Sequence, residues 1–308
     1  MTEFAPMAAI DGVVSPVAEA RIPVMDRGFL YGDSIYEVFR TYRGVPLFFE
    51  EHWLRFENSA RLIHLELGDV VRQQLTADIK AAVAASGAPE LGQDVYVRYI
   101  VTRGEGPVDL LPAQGLQLRR VVIVKQVPRW NPKHYSEGAR LAIVETRRNP
   151  HRALDPNIKG GNYLNNILGV IEADRIGADD CLMLNEAGLV TEASNSNVFF
   201  VIDGALVTPS QKAANLRGLT KATIHSACRA NGIDTAEVEI TAADALRATE
   251  CFLSSATREV MPVASILGPD GTRREFPSGG GEVTRRVAAL YREAVESYID
   301  SHQALSVF

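Results

Sequence analysis

Lys159 and Glu192 carry the most chemical information in this chain. Lys159 sits in Asn157-Ile158-Lys159-Gly160-Gly161-Asn162-Tyr163, where small neighbours leave its amine open to a bulky ligand. To act as a nucleophile near neutral pH, such an amine needs a site that lowers its pKa, by desolvation or by a nearby positive charge. Alone, the motif reads better as an ordinary surface lysine in a glycine turn. Glu192 lies within a run of short polar residues, Thr191-Glu192-Ala193-Ser194-Asn195-Ser196-Asn197, ahead of an apolar β-like stretch. Further on, Asn215-Leu216-Arg217-Gly218-Leu219-Thr220-Lys221 is a glycine turn that opens a helix, a geometry that binds phosphate through exposed backbone N–H groups.

Lysine, acid and phosphate turn, in that order, resemble the fold-type IV pyridoxal-phosphate enzymes, which include branched-chain and D-amino-acid transaminases, (R)-amine transaminases and aminodeoxychorismate lyase. The resemblance runs from about Ile10 to about Pro262. It implies an α+β fold of two domains: a small N-terminal α/β domain over 1–127, a linker over 128–135 and a larger C-terminal cofactor domain with a pseudo-barrel sheet over 136–308. It also implies roles. Lys159 holds pyridoxal 5'-phosphate covalently and then moves the proton, and Glu192, with Ser194 and Asn195 beside it, faces the pyridine nitrogen. Tyr163 donates to the ring oxygen. Arg55, in the family's His-x-x-Arg motif with His52, grips the phosphate together with Leu219, Thr220 and the turn at Ala256 and Thr257. Tyr31, Tyr36, Arg40, Tyr96, Arg98 and Val108 fall at substrate-pocket positions.

The choice within the family rests on fewer residues. Val108 and Leu110 stand where D-amino-acid transaminases carry the Arg and His of their carboxylate trap, whereas Tyr96-Val97-Arg98 resembles the Tyr-x-Arg of branched-chain transaminases, and Gly160-Gly161-Asn162-Tyr163 leans the same way. Other positions disagree: Val38 replaces a usual glycine, Ser194-Asn195-Ser196-Asn197 replaces Gly-Glu-Asn, and Ser255-Ala256-Thr257 lacks the central hydroxyl of the usual phosphate turn. The first expectation is ping-pong transfer of nitrogen from a branched-chain L-amino acid to 2-oxoglutarate. D-amino-acid or (R)-amine transamination and aminodeoxychorismate lyase chemistry remain open, as does a protein of this fold that binds no cofactor. The resemblance further implies a homodimer or a multiple of dimers, with the loop Val108 to Leu110 completing the partner's pocket.

Composition sets wider bounds. The 308 residues are 46% hydrophobic and 23% charged, with a formal net charge of −6. Such a balance, without a Lys/Arg-rich run, argues against nucleic acid as a partner. Cys181, Cys228 and Cys251 have no metal-ligand or disulfide-scaffold spacing, so no metal is expected. No apolar run approaches a membrane span, and the N-terminus lacks a basic-then-apolar leader, so the expectation is a cytoplasmic enzyme free of membranes.

The elements that must position these groups follow from periodicity. Residues 35–42 alternate as a strand with one face toward a pocket, and Arg43-Gly44 turns the chain into 45–49. Residues 50–67 read as an amphipathic helix with Trp53, Phe56, Ala60 and Ile63 on one stripe; His52 and Arg55, three apart, share another face. A second helix is expected over 69–86, strands over 94–102, 121–127 and 139–145, and a break at Pro128 to Pro132. Beyond it come a helix over 164–177, a strand over 180–185, a single run over 189–202 carrying Glu192, helices over 219–231 and 242–248, a strand over 250–255 and a last helix over 281–301.

Overall fold

The computed structural model describes residues 3–308 and divides into two compact units. The first comprises the chain up to Pro128, together with 158–162 and 297–308; the second comprises 129–157 and 163–296. Against the linear division at 127 and 136, two short segments therefore cluster with the N-terminal unit, and one of them carries Lys159.

The first unit is an antiparallel sheet of β1 (Met7–Ile10), β2 (Val13–Pro16), β3 (Ser34–Tyr42), β4 (Val45–Pro46), β5 (Val95–Thr102) and β6 (Arg119–Gln126), in the order β2-β1-β6-β5-β3-β4. Its helices are α1 (Arg27–Tyr31), α2 (Phe49–Leu62), α3 (Val71–Ala85) and α4 (Ala88–Leu91). Period-two burial along the strands decides which face is covered. Ile35 and Phe39 of β3 and Val95, Val97, Tyr99 and Val101 of β5 form one core with Trp53, Phe56 and Ala60 of α2 and Leu75, Ile79, Ala82 and Val83 of α3. Cutting one such aromatic to alanine costs about 3–5 kcal/mol. The helix expected over 50–67 ends early, at Leu62. His64 adopts a φ of +52°, and Leu65 N donates to Ala60 O at 2.9 Å, so the chain turns and Leu65 drops into the core. The short α1 has no counterpart in the periodicity; Asp26 caps it by accepting from Gly28 N, and Gly32 ends it at φ +67°.

The second unit is a nine-stranded mixed sheet: β7 (Ala139–Ile143), β8 (Asp180–Leu184), β9 (Val190–Ala193), β10 (Asn197–Ile202), β11 (Ala205–Pro209), β12 (Thr235–Val238), β13 (Glu250–Ser255), β14 (Glu259–Leu267) and β15 (Arg273–Glu275). The path is β12-β11-β10-β13-β14-β7-β8-β9, with β15 beside β14. After α5 (Lys133–Ser136), α6 (Leu164–Arg175) crosses between the parallel strands β7 and β8, and α7 (Leu219–Ala230) between the parallel strands β11 and β12. Parallel neighbours need such crossovers. The remaining helices are α8 (Ala242–Arg247) and α9 (Glu282–Ser301). β9 ends the hydrogen-bonded path yet also contacts β10 and β11, so the sheet curls back on itself as a half barrel. The core inside it includes Leu182, Val190, Val198, Phe200, Leu253, Met261 and Val263.

The run expected over 189–202 is two strands rather than one. Ala193 N donates to Ser196 O at 2.9 Å, which closes a turn through Ser194, Asn195 and Ser196. Short polar side chains of this kind compete with the strand ladder for backbone groups.

Candidate active site

In the first unit, Lys159 lies on a strap laid along the open edge of β3. Tyr36 N donates to Lys159 O at 2.8 Å, Gly161 N donates to Ser34 O at 3.1 Å, and Gly160 bridges Ile35. Lys159 N donates to Ser59 Oγ of α2 at 3.1 Å. The two glycines follow from this closeness: a Cβ at 160 would meet Ser34 O at 2.9 Å, and one at 161 would meet Ser34 Oγ at 2.5 Å. The amine itself lies against Tyr36, with Nζ 3.4 Å from the phenol oxygen and 4.5 Å from the ring centroid.

The register of β3 on β5 gathers the pocket candidates. Tyr36 opposes Ile100, Val38 opposes Arg98, and Arg40 opposes Tyr96, so Tyr36, Arg40, Tyr96 and Arg98 share the sheet face opposite the core. The Arg98 guanidinium stacks over the Tyr36 ring at 3.8 Å, and that of Arg40 over Tyr42 at 4.1 Å. Tyr31 and Val108 belong to another cluster of this unit. Arg27, buried, stacks over Tyr31 and donates to Asp33 Oδ2 at 3.0 Å, to Asp109 O at 2.6 Å and to Leu110 O at 3.0 Å. The backbone beside Val108 is thereby tied down while Val108 itself is 72% exposed.

Arg55 is engaged in a way the motif does not announce. Its Nε and Nη2 donate to Glu37 Oε1 and Oε2 at 2.6 and 2.7 Å, and His52 Nδ1 lies 2.7 Å from Oε2. Burial by itself would raise the Glu37 carboxyl; the Arg55 guanidinium and His52 outweigh it and hold it well below the usual carboxylate range. Burial pushes His52 below its ordinary value, against the pull of Glu37.

In the second unit, Glu192 is on β9 and both its oxygens are engaged: Arg148 Nε donates to Oε1 at 2.9 Å and Leu216 N to Oε2 at 3.1 Å. Ser194 N donates to Asp180 Oδ1 at 3.3 Å, and Ser194 O accepts from Asn166 Nδ2 at 2.7 Å; Asn195 is exposed. Tyr163 occupies the N-cap position of α6. Helix α7 starts at Gly218 with no capping side chain and no acidic residue in its first turn, so the N–H groups of Leu219 and Thr220 head a positive helix end. Asn197 links this end to the β13–β14 turn: it pairs across strands with Ser254, donates to Leu216 O at 3.0 Å, and would lie 1.9 Å from a Cβ at Gly218. In that turn Thr257 O accepts from Trp130 Nε1 at 3.0 Å, Arg258 N donates to Ser255 Oγ at 3.3 Å, and Ala256 lies between them. Gly218 is the glycine of the phosphate turn read from the sequence, whereas Arg148 and Asn197 stand in none of the roles read there. The only local signal for Arg148 was the paired Arg147-Arg148 ahead of the proline loop.

These groups suit pyridoxal 5'-phosphate: an accessible amine against a phenol, a carboxylate fixed by two donors, and an uncapped helix end for an anion. Among the described residues no group of three or more His, Cys, Asp or Glu can hold a metal ion, and no helix is long and apolar enough to cross a membrane.

Fold and side chains together define a two-unit α+β enzyme of the kind that works on amino groups. Residues 34–266 match the family described as Amino-transferase class IV, and the chain belongs to that family. It is 29% identical over 275 residues to a putative branched-chain-amino-acid aminotransferase of Methanocaldococcus jannaschii, covering 89% of this chain and 91% of that protein. It is 33% identical over 261 residues to a D-alanine aminotransferase of Listeria monocytogenes, covering 83% and 86%. The structure of a branched-chain aminotransferase from Thermoproteus uzoniensis with norvaline superposes with a TM-score of 0.85 at 27% identity, over 98% of this chain and 99% of that one. A T.th. branched-chain amino acid aminotransferase complexed with N-(5'-phosphopyridoxyl)-L-glutamate gives 0.82 at 28% identity, over 98% and 97%. The chain is thus an aminotransferase, and its cofactor is pyridoxal 5'-phosphate.

Proposed function

We propose that this enzyme transfers nitrogen from a branched-chain L-amino acid to 2-oxoglutarate in two half-reactions. The observation that carries the reading is the shared face of β3 and β5, where Tyr36, Arg40, Tyr96 and Arg98 lie together and the Lys159 amine touches Tyr36. Two guanidiniums beside two phenols offer a site for an α-carboxylate, and for the second carboxylate of a dicarboxylic oxo acid. Val108 and Leu110 leave the 107–111 loop without the cation that a D-amino-acid trap uses.

Bound, the cofactor supplies an aldehyde that links to an amine and a protonated ring that accepts carbanion charge. Lys159 would hold it through Nζ and, when that amine is free, would move a proton there as base and as acid. Glu192 keeps a proton on the ring nitrogen, Tyr163 donates to the ring oxygen, and Ser194 and Asn195 line the turn next to Glu192. Arg55, the N–H groups of Leu219 and Thr220, and the turn at Ala256 and Thr257 hold the phosphate. Tyr31 and Val108 border the substrate, Val108 from a second copy of the chain, which makes the working form a homodimer or a multiple of one. A reducing cytoplasm suits its three buried, free cysteines.

D-amino-acid transamination is the second reading, favoured by the 33% identity to a D-alanine aminotransferase. Purified enzyme mixed separately with L-leucine, D-alanine and (R)-1-phenylethylamine separates the readings through loss of the long-wavelength absorbance of the lysine-linked cofactor. L-Leucine is expected to bleach it fastest. Bleaching by D-alanine alone would replace the first reading with the second.

A further inference from the structure

Arg148 is fastened at both root and tip within the second unit. Its backbone N donates to Leu184 O at 2.9 Å, at the end of β8. Its Nη1 donates to Asn165 Oδ1 at 3.2 Å, and its Nε to Glu192 Oε1 at 2.9 Å. Asn165, on the first turn of α6, also accepts from Asn149 N at 3.3 Å and donates to Arg147 O at 2.8 Å, so one amide side chain clamps three consecutive residues of the loop. The guanidinium and the carboxylate are both nearly buried, with side-chain exposures of 11% and 7%. Because the other Glu192 oxygen accepts from Leu216 N, turning the carboxylate breaks two bonds at once.

We propose that Arg148 is a positioning residue for the transfer reaction, fixing the plane of the Glu192 carboxylate and sharing its negative charge so that a proton between Glu192 and the ring nitrogen stays on the nitrogen. This rests on Glu192 being the ring-nitrogen partner. A guanidinium is charged at any working pH and has no acceptor lone pair, so it competes for the carboxylate's electrons without ever taking the proton. A carboxylate already paired with one cation is a weaker base toward a second. It still makes a charge-assisted hydrogen bond to the ring, which is stronger than a neutral one and more dependent on direction. With a neutral side chain at 148, Glu192 would keep only the Leu216 amide and gain freedom to rotate.

The test uses the full chain stripped of cofactor and two probes, pyridoxamine 5'-phosphate and its 1-deaza analogue, in which a C–H replaces the ring nitrogen. The wild type is expected to prefer the natural compound by about tenfold or more, the size of one hydrogen bond to a charged group. Glu192→Gln should abolish most of that preference. Arg148→Gln should bring the ratio down toward that of Glu192→Gln while leaving affinity for the deaza compound near wild type. Arg148→Lys, with the charge but not the fork, should fall between. If Arg148→Gln keeps the wild-type ratio, or weakens both probes equally, Arg148 only supports the fold and the proposal is overturned. If the wild type shows no preference and Glu192→Gln changes nothing, the assignment of Glu192 itself fails, a different result from either. Should Arg148→Gln not fold, Arg148→Lys decides, and an undiminished ratio there overturns the proposal.

Discussion

Glu37 and Arg55 form a side-on pair, two parallel hydrogen bonds of 2.6 and 2.7 Å between a fully buried carboxylate and a guanidinium that is almost as well covered. Removing one member strands the other. Breaking a buried pair in this way costs about 3–5 kcal/mol. Glu37→Ala is therefore expected to lower the urea midpoint sharply and to raise the dissociation constant for pyridoxal 5'-phosphate. Loss of affinity for pyridoxal, which lacks the phosphate, should be much smaller. Equal losses for both would show that Arg55 does not reach the phosphate.

The same cluster sets a pH dependence. The folded Glu37 carboxyl is held below its ordinary value, so its contribution to stability is present above the ordinary carboxylate range and is lost as the pH falls through and below it. His52 is also lowered, by burial first; the unfolded chain then binds more protons, and stability drops as the pH falls from about 6.5. Both effects have the same sign. Unfolding measured between pH 7.5 and 5 should show decreasing stability, and His52→Gln should flatten the upper part of that slope. An unchanged slope in the variant would place the titration elsewhere.

Gly160→Ala tests the strap. The added Cβ would sit 2.9 Å from the Ser34 carbonyl, a backbone atom that cannot swing aside, so the strap must lift from β3 and carry Lys159 with it. Misplacing a reacting group by about 1 Å can cost 10²-fold in rate. The expected result is a fall of roughly that size in turnover, with an unfolding midpoint close to wild type because the core is untouched. A variant with full activity would mean that Lys159 does not need its close seat on β3.

How far the chain could be read from its sequence follows from the same contacts. The faces of β3 and α2 were legible because burial imposes periods of two and 3.6 on side chains that touch a single core. The convergence of His52 and Arg55 was legible as a spacing of three, but their buried partner Glu37 was not, since an acid in an alternating strand has no local signal for being inside. The split of 189–202 was hidden because Val190 and Val198 flank the Ser194–Ser196 turn with equally strand-like residues. Arg148 was invisible as a site residue because its meaning lies in Glu192, brought to it by the parallel pairing of β7 with β8 and by the turn that carries β8 into β9, and pairing between strands as distant in sequence as β7 and β8 leaves no trace in either segment. The excursion of 158–162 into the first unit was likewise unreadable, although its cause, two adjacent glycines beside Ser34, was on view.

Gly218 and Asn197 give a prediction with its own rescue. A Cβ at 218 would lie 1.9 Å from Asn197 Oδ1, so Gly218→Ala must push Asn197 off the start of α7 and open the turn. Cofactor affinity is expected to fall about tenfold or more, the size of one charge-assisted hydrogen bond to the phosphate. Trimming the obstacle should restore part of it: the double variant Asn197→Ala with Gly218→Ala is expected to bind more tightly than Gly218→Ala alone. Additive losses would show that the two positions do not couple.

Lys221 is buried in the first turn of α7, a poor place for a cation because the helix end is already positive. Its Nζ lies 3.1 Å from Glu237 and donates to Asn215 Oδ1 at 3.2 Å, and Asn215 in turn donates to Pro209 O and Ser210 O. Burial lowers its pKa, Glu237 opposing. With a depressed folded value the unfolded chain binds more protons, so the penalty is present at neutral pH and fades as the pH rises through the folded value toward the ordinary lysine range. Lys221→Met keeps the length and removes the charge; Glu237, about a third exposed, can turn to water. The variant should therefore be as stable as the wild type or slightly more stable at pH 7, by no more than about 1 kcal/mol, with the difference shrinking near pH 10. Its cost should appear in function instead: without the Asn215 brace, the turn bearing Leu216 loosens, and affinity for pyridoxal 5'-phosphate should drop several-fold. A strongly destabilised Lys221→Met would mean that the ammonium is a net support of the fold, its pairing with Glu237 and Asn215 outweighing the cost of its burial.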